Sequence, residues 1–168
     1  PQPVKGSVYG LAWSKDRNHV AAAIAHQGTI RVFSGPDLAH ATAISSQTMA
    51  LDPAFSPSGR LGYMGETKSG TRIFVDGAPA SPDGLYASSP TFCNHPEGVR
   101  LIYAVNVGDQ SDLVAAGERG GNMLRLTQGQ GSNTAPACSP DGRLVAFFST
   151  RKSGEGPGLY VMRTDGGH

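Results

Sequence analysis

Charged residues are scarce in this sequence, and they are not concentrated in any one region. They make up 16% of the 168 residues, and 14 Lys and Arg against 13 Asp and Glu leave a net charge of +1. Binding of a nucleic acid requires a concentrated basic face, which scattered basic residues do not form. No run approaches the ~18 consecutive apolar residues of a membrane span. We therefore expect neither nucleic-acid binding nor membrane insertion.

The residue patterns of common hydrolases and metalloenzymes are also missing. The sequence has no G-x-S-x-G motif, which presents the nucleophile of an α/β-hydrolase, and the segment 6–10 (GSVYG) has the wrong spacing. The five histidines form no H-x-x-x-H or H-E-x-x-H pattern. The sequence therefore predicts a protein that is not an enzyme and that uses no metal or cofactor.

Glycine and proline, by contrast, are frequent. The chain has 23 Gly and 12 Pro, and they recur along its whole length. Both residue types destabilise helix interiors, so this spacing excludes a helical bundle. The segments between them are rich in Val, Ile, Leu, Phe and Tyr, which argues against disorder. An all-β fold is expected.

The sequence also repeats itself. Residues 52–63 (DPAFSPSGRLGY) can be laid over residues 135–147 (APACSPDGRLVAF), and weaker copies begin at Leu11 and Ser89. Equivalent positions recur about every 42 residues, a period typical of repeat architectures. These positions are Trp13, Phe55, Phe92 and Cys138. Four units result, at approximately 7–46, 47–84, 85–130 and 131–168.

Each unit reads as a strand, an S-P-x-G turn, a second strand, a polar loop and a third strand. In the turn, proline fixes φ and glycine accepts a positive φ, so the chain reverses between antiparallel strands. The third strands are predicted at 29–33, 72–75, 112–115 and 158–162. A fourth, outer strand is clearest at 124–127. Four strands per ~42 residues predict the blade of a β-propeller.

The four equivalent positions are predicted to lie on the innermost strands and to form the main apolar contact between blades. Cys138 is one of them, whereas Cys93 comes one residue after Phe92. Strand alternation then places the two cysteines on opposite faces of their sheets. We expect this arrangement to disfavour a disulfide and to leave two buried free thiols.

Three motifs resemble the WD-repeat-like blades of the TolB family of the Tol-Pal envelope system. They are PAFSPSGRL, PACSPDGRLVAF and LYVMRTDGG, and residues 120–151 give the strongest match. The resemblance extends over nearly the whole chain. It implies an all-β propeller of four-stranded antiparallel blades, with about four blades here. It also implies a periplasmic location.

The resemblance further implies a non-enzymatic, protein-binding function in cell-envelope integrity. In TolB-like proteins a Pal-like lipoprotein binds at the channel mouth, just before the P-x-F-S-P strand, and TolA is a further partner. Carried over by position, the contact residues are Gly10, Asp52, Ser89 and Ala135, with the slightly earlier Tyr86, Ser132 and Asn133. The alternative is that Asp52, Ser89 and Asn133 only cap local turns.

Two other functions stay open, because similar repeats occur in propellers that gate prolyl oligopeptidase-like and tricorn-like peptidases, and in modules that only self-associate. Three arrangements of the four blades are also possible. These are a fragment of a six-bladed ring, a closed four-bladed ring, and a homodimer of eight blades. Residues 1–6 would complete the last blade as an outer strand or pair with another copy of the chain.

Overall fold

The fold consists of β-strands joined by short turns. The computed structural model describes residues 6–152 and 156–166, and within these ranges it contains fifteen strands. None of the described residues forms a helix with the length and apolar character needed to cross a membrane. The strands are β1 (Ser7–Trp13), β2 (Val20–His26), β3 (Thr29–Gly35), β4 (Thr42–Ala43), β5 (Ala50–Phe55), β6 (Leu61–Thr67), β7 (Gly70–Val75), β8 (Ala78–Pro79), β9 (Ala87–His95), β10 (Gly98–Val107), β11 (Gln110–Gly117), β12 (Leu124–Arg125), β13 (Asn133–Cys138), β14 (Leu144–Ser149) and β15 (Gly158–Arg163).

The strands form four antiparallel sheets, which we call blades 1 to 4. Their strand orders are β1-β2-β3-β4, β5-β6-β7-β8, β9-β10-β11-β12 and β13-β14-β15. Each blade packs on the next one in the chain, and the blades do not close into a complete ring. The predicted all-β propeller of about four blades is confirmed. Blade 4 has three strands among the described residues, and the predicted closing strand at residues 1–6 lies outside them apart from Gly6.

The turns between first and second strands follow the predicted chemistry. Gly59 and Gly142 adopt φ values of +87° and +72°, at the glycine of S-P-x-G. In blade 1 the turn is Ser14–Arg17, and Arg17 takes the glycine position with φ +62°. In blade 3 the chain reverses direction at Pro96 and Glu97, between β9 and β10. The weaker sequence copies therefore keep the chain reversal without the full motif.

The strand register is the same in every blade. The four equivalent inner-strand positions pair with the second strand at Trp13–Val20, Phe55–Leu61, Phe92–Leu101 and Cys138–Val145. Because side chains alternate along a strand, each blade has one face toward the blade before it in the chain and one toward the blade after it. We call these the preceding face and the following face.

The core lies between consecutive blades and comprises three apolar clusters. The largest fully buried side chains are Tyr63, Tyr103 and Phe147, one from each of blades 2, 3 and 4. All three project from the preceding face at the same register position. Burying a side chain of this size contributes on the order of 2–3 kcal/mol. The blades therefore stabilise one another, since none has an interior of its own.

The predicted inner-strand contact is confirmed for blade 3 but not for blade 1. Phe92 is buried and Phe55 is half-buried, whereas Trp13 is largely exposed. The prediction was wrong for Trp13 because its face of blade 1 is not covered by another blade. All four equivalent positions nevertheless line one cavity of about 340 Å³ at the ends of the inner strands.

The expectation of two free thiols is also wrong. Cys93 of β9 and Cys138 of β13 form a disulfide across blades 3 and 4, with Cα atoms 5.5 Å apart. The two side chains do lie on opposite faces, as alternation requires. Adjacent blades, however, stack with the following face of one against the preceding face of the next. Cys93 lies on the following face of blade 3 and Cys138 on the preceding face of blade 4, so the two sulfur atoms meet where these faces pack.

A repeated hydrogen bond holds the outer edge of blades 1 to 3. In each blade, a side-chain hydroxyl just after the fourth strand accepts a hydrogen bond from the backbone N–H of a central residue of the third strand. The N···O distance is 2.9 Å in all three blades. The pairs are Val32 with Ser45, Ile73 with Ser81, and Leu113 with Thr127. A two-residue strand is thereby enough to cap each edge, since the hydroxyl extends the ladder by one bond.

Candidate functional site

The channel mouth is the end of the propeller at which the inner strands begin. In blades 2, 3 and 4 each inner strand bulges at the predicted residue, namely Asp52, Ser89 and Ala135. These residues have φ values of +53°, +52° and +50°. A left-handed conformation costs a non-glycine residue about 1 kcal/mol or more. The structure thus holds the backbone of three equivalent residues, one in each of blades 2 to 4, in the same unfavourable conformation.

The residue after each bulge explains the irregularity. Pro53, Pro90 and Pro136 are at least half-buried, and a proline cannot donate to a strand ladder. The inner strand leaves its partner at this point and rejoins it one or two residues later. In blade 1 the equivalent of proline is Leu11, and the register shift falls between Val8 and Gly10. Gly10 is not among the residues with positive φ.

Neighbouring mouth residues contact one another around the axis. The Ser89 hydroxyl donates to the Asp52 carboxylate over 3.4 Å, which joins blade 3 to blade 2. A Cβ added to Gly10 would lie 3.1 Å from Cδ of Pro53, so only a residue without a side chain packs easily there. Gly10, Asp52 and Ser89 therefore form a continuous rim from blade 1 to blade 3.

In blade 4 the predicted residues differ in exposure. Ala135 is exposed, Ser132 is half-buried, and Asn133 is fully buried. The Asn133 amide donates to the carbonyl oxygens of Ser111 (3.1 Å) and Gly131 (3.0 Å). Its own oxygen accepts a 3.4 Å hydrogen bond from Arg151. Asn133 thus fixes the position of the rim, whereas Ser132 and Ala135 are accessible on it.

A buried carboxylate supports this part of the mouth, and sequence reasoning missed it. Asp112, the third residue of β11, accepts hydrogen bonds from Arg125, from Thr127 (2.7 Å) and from the backbone of Gly129 (3.1 Å). It is almost fully buried, and the Arg125 guanidinium compensates its charge. The sequence does contain a pattern that could have indicated this pair. It is an acidic residue on a predicted third strand, followed by the R-x-T motif of the outer strand.

Tyr86 lies in the connection between blades 2 and 3, with a positive φ of +44°. Its ring packs over Gly70, where an added Cβ would meet ring atoms at 3.1–3.2 Å. More than half of the Tyr86 side chain is nevertheless exposed. A tyrosine that is fixed on one side and open on the other is well suited to contact a protein partner.

Asp52 is the one charged group among the seven predicted mouth residues. Within residues 6–152 and 156–166 it forms no ion pair, and its carboxylate contact is with Ser89. A half-buried carboxylate without a cation favours a basic or amide donor on a ligand. The part of the chain that the structure describes contains no cluster of three or more residues able to hold a metal ion. The mouth thus offers a polar rim.

Known proteins resemble parts of this sequence. No protein-family model matches it. The uncharacterised peptidase YuxL of Bacillus subtilis is 35% identical over 78 residues, which are 43% of this chain and 12% of that protein. The Tol-Pal system protein TolB of Bordetella pertussis is 44% identical over 55 residues, 33% of this chain and 12% of that protein. The chain thus spans a small part of either relative.

Solved structures match over almost the whole chain. TolB from Acinetobacter baumannii superposes with a TM-score of 0.79 at 17% identity, covering 97% of this chain and 42% of that one. A TolB-type protein from Agrobacterium tumefaciens gives 0.81 at 16% identity, covering 94% and 62%. The chain has a TolB-like propeller fold. Since it spans 62% or less of both neighbours, it is a partial TolB-like propeller, in agreement with its open ring.

Proposed function

We propose that this TolB-like propeller is a non-enzymatic binding module that holds a Pal-like lipoprotein at the channel mouth. The observation that carries the proposal is the repeated left-handed conformation of Asp52, Ser89 and Ala135. Strained backbone persists where the surrounding structure enforces it, and it is concentrated at binding sites. Here it recurs at the equivalent bulge of three consecutive blades, with a short side chain at each position.

The role in cell-envelope integrity and the contact with TolA belong to the same proposal. They are supported by the local similarity to a Tol-Pal system protein and by the TolB-like fold. A periplasmic location is supported independently by the Cys93–Cys138 disulfide, because such bonds persist in oxidising compartments and are rare in the cytosol.

Calorimetric titration with the soluble domain of a Pal lipoprotein from the same organism tests the proposal. We expect micromolar binding by the folded chain. Asp52→Lys and Tyr86→Ala should each weaken it at least tenfold, since one places a cation at the rim and the other removes an exposed ring. Glu97→Gln is the control, because Glu97 lies in the turn at the opposite end of blade 3.

Equal affinity of Asp52→Lys, Tyr86→Ala and Glu97→Gln would place the binding surface elsewhere. A folded chain with no affinity for the Pal domain would contradict the proposal itself. Circular dichroism and thermal unfolding of each variant separate lost binding from lost folding.

A second function is favoured by the match to YuxL, a protein named as a peptidase. In that case the propeller would gate a catalytic domain encoded outside these 168 residues. The two functions differ in the segment that the gene encodes downstream of the propeller. An α/β-hydrolase segment with a G-x-S-x-G motif would favour gating, whereas a reading frame that ends near the propeller would exclude it.

A further inference from the structure

Both cysteines of the disulfide depart from the repeat. Cys138 occupies the position at which the other three blades have an aromatic residue, and Cys93 occupies the position at which the other three have a serine. Each of these serines accepts a hydrogen bond from a backbone N–H of its own turn, at 2.9–3.1 Å; they are Ser14, Ser56 and Ser139. The chain has two cysteines, so its other blade interfaces pack without a disulfide. The bond is a special feature of blades 3 and 4.

The two cysteines differ in their access to solvent. Cys93 is completely buried and belongs to the apolar cluster between blades 3 and 4. Cys138 is half-buried and lines the 340 Å³ cavity at the ends of the inner strands, which we call the channel cavity. Lys15, Asn94 and Pro140 line the same cavity and are exposed, so the cavity opens to solvent. A small molecule that enters it reaches Cys138 and not Cys93.

The lining of the channel cavity favours an anion. Among the described residues that line it, Lys15 is the one with a charge, and Thr91, Asn94 and Ser139 add uncharged polar groups. A cation in a cleft raises the local concentration of anions. The thiolate is the form of a thiol that attacks a disulfide. The cavity is therefore suited to a low-molecular-weight thiol that carries a negative charge.

We propose that Cys138 is a thiol-exchange site, reached by a small anionic thiol through the channel cavity. The thiolate of that molecule attacks Sγ of Cys138. The bond between Cys138 and Cys93 breaks, and its electron pair leaves on Sγ of Cys93, which then takes up a proton. One S–S bond forms as another breaks, so no separate oxidant is consumed. Because Cys93 stays beside the mixed disulfide, it re-forms the original bond when the external thiol is removed.

Exchange at Cys138 also controls the mouth, a step that rests on the proposed function. Strand β9 contains both Ser89 and Cys93, and strand β13 contains both Ala135 and Cys138. At the rise of a β-strand, each cysteine lies about 10–13 Å along the strand from the rim residue. The disulfide thus fixes the starts of two inner strands relative to each other. Its opening lets them move apart, which weakens binding at the rim.

The experiment exposes the folded, oxidised chain to an anionic thiol, 2-mercaptoethanesulfonate, or to a cationic one, cysteamine, at equal thiolate concentration. Samples are quenched by alkylation at short times and mapped by mass after proteolysis. We expect the mixed disulfide on Cys138 and the alkylated thiol on Cys93. The anionic thiol should react at least about threefold faster than the cationic one.

Two charge variants test the route through the cavity. Lys15→Glu should reverse the preference between the two thiols, because it replaces the cation of the cavity by an anion. Lys68→Glu is the matched control and should keep the preference, since Lys68 is exposed in the turn between β6 and β7, at the mouth end of blade 2. Equal adducts on Cys93 and Cys138, or exchange no faster than global unfolding, would overturn the proposal.

Titration with the Pal domain tests control of the mouth. Cys93→Ser that carries 2-mercaptoethanesulfonate on Cys138 is a stable form of the exchanged chain. We expect it to bind at least about threefold more weakly than the oxidised chain. Equal affinity would overturn control of the mouth. An oxidised chain with no affinity would contradict the proposed function, while the mass mapping would still decide whether Cys138 is the exchange site.

Discussion

Tyr63 and Tyr103 occupy the same register position in neighbouring blades, yet their hydroxyl groups have different environments. The Tyr63 hydroxyl donates to the side-chain oxygen of Gln47 over 3.3 Å. The Tyr103 hydroxyl is buried and has no hydrogen-bond partner among the described residues. A buried polar group without a partner costs about 1–3 kcal/mol.

This difference predicts opposite effects of the same substitution. Tyr103→Phe should raise the free energy of unfolding by about 1 kcal/mol, because it removes the unpaired hydroxyl and keeps the ring. Tyr63→Phe should lower it by about 1 kcal/mol, because Gln47 loses its donor, while stacking on Phe74 at 5.5 Å is retained. Urea unfolding of the two variants gives both values. A loss of stability in Tyr103→Phe would show that the hydroxyl is hydrogen-bonded in solution.

The same tyrosine predicts a loss of stability in alkali. Burial raises the pKa of Tyr103 from 10.0 to about 12. Below pH 10 the phenol is protonated in both the folded and the unfolded chain, so its contribution is fully present. Between pH 10 and 12 only the unfolded chain ionises, so stability falls across this window, by an amount on the order of 3 kcal/mol.

Phenolate absorbance during a pH titration, combined with unfolding curves at each pH, measures this loss. Burial also raises the pKa of Tyr63, so the phenolate absorbance of both Tyr63 and Tyr103 should appear above the ordinary range of tyrosine. Tyr103→Phe should lack one of these two late transitions and lose less stability above pH 10. An unchanged alkaline profile in this variant would rule out the assignment to Tyr103.

The Cys93–Cys138 bond predicts that blade 4 is sensitive to reduction. The bond joins residues 45 positions apart and restricts the unfolded chain. Its loss should lower the free energy of unfolding by about 2–4 kcal/mol. The double variant Cys93→Ser, Cys138→Ser should show this loss and no further change with a reductant. An unmodified chain that is equally stable with and without a reductant would contradict the prediction.

Two glycines of the S-P-x-G turns predict different costs for the same change. Gly59 and Gly142 both have positive φ, but an added Cβ at Gly59 meets nothing within 4 Å, whereas at Gly142 it would collide with the carbonyl of Asn94 in blade 3. Gly59→Ala should cost about 1 kcal/mol from backbone strain alone. Gly142→Ala should cost at least about 2 kcal/mol more, since two blades must move apart.

Thermal unfolding of both variants measures these costs, and Arg17→Gly is the complementary test. Arg17 occupies the same turn position in blade 1 with φ +62°. Replacement by glycine should leave stability unchanged or raise it by a few tenths of a kcal/mol. Equal losses in Gly59→Ala and Gly142→Ala would show that the blades adjust to the extra carbon.

The sequence allowed the blade architecture to be predicted because its determinants are local. The S-P-x-G turns and the alternating strands lie within a few residues of one another, so repeats identify them. The exposure of Trp13 depends instead on which blade lies beside it, and local sequence does not contain that information. The disulfide shows the same limit, since alternation correctly assigned the faces of Cys93 and Cys138 but not which faces meet.

The candidate site was predictable in position and not in conformation. The P-x-F-S-P motif located Asp52, Ser89 and Ala135 at the starts of inner strands, while their left-handed backbone depends on the next residue, a proline, and on the packing around it. The Asp112 and Arg125 pair depends on contacts between a third strand, an outer strand and the next blade. Contact of the seven residues with a partner stays a prediction.

The hydroxyl of Thr127 caps the edge of blade 3, and only eight positions separate it from Ala135 on the rim of blade 4. Asp112 connects the two ends of this short link through Thr127, Gly129 and Asn133. A ligand that immobilises the rim therefore also resists fraying of the neighbouring outer strand. We expect ligand binding to slow amide hydrogen exchange at Leu113, whose N–H donates to Thr127 at the outer edge of the blade.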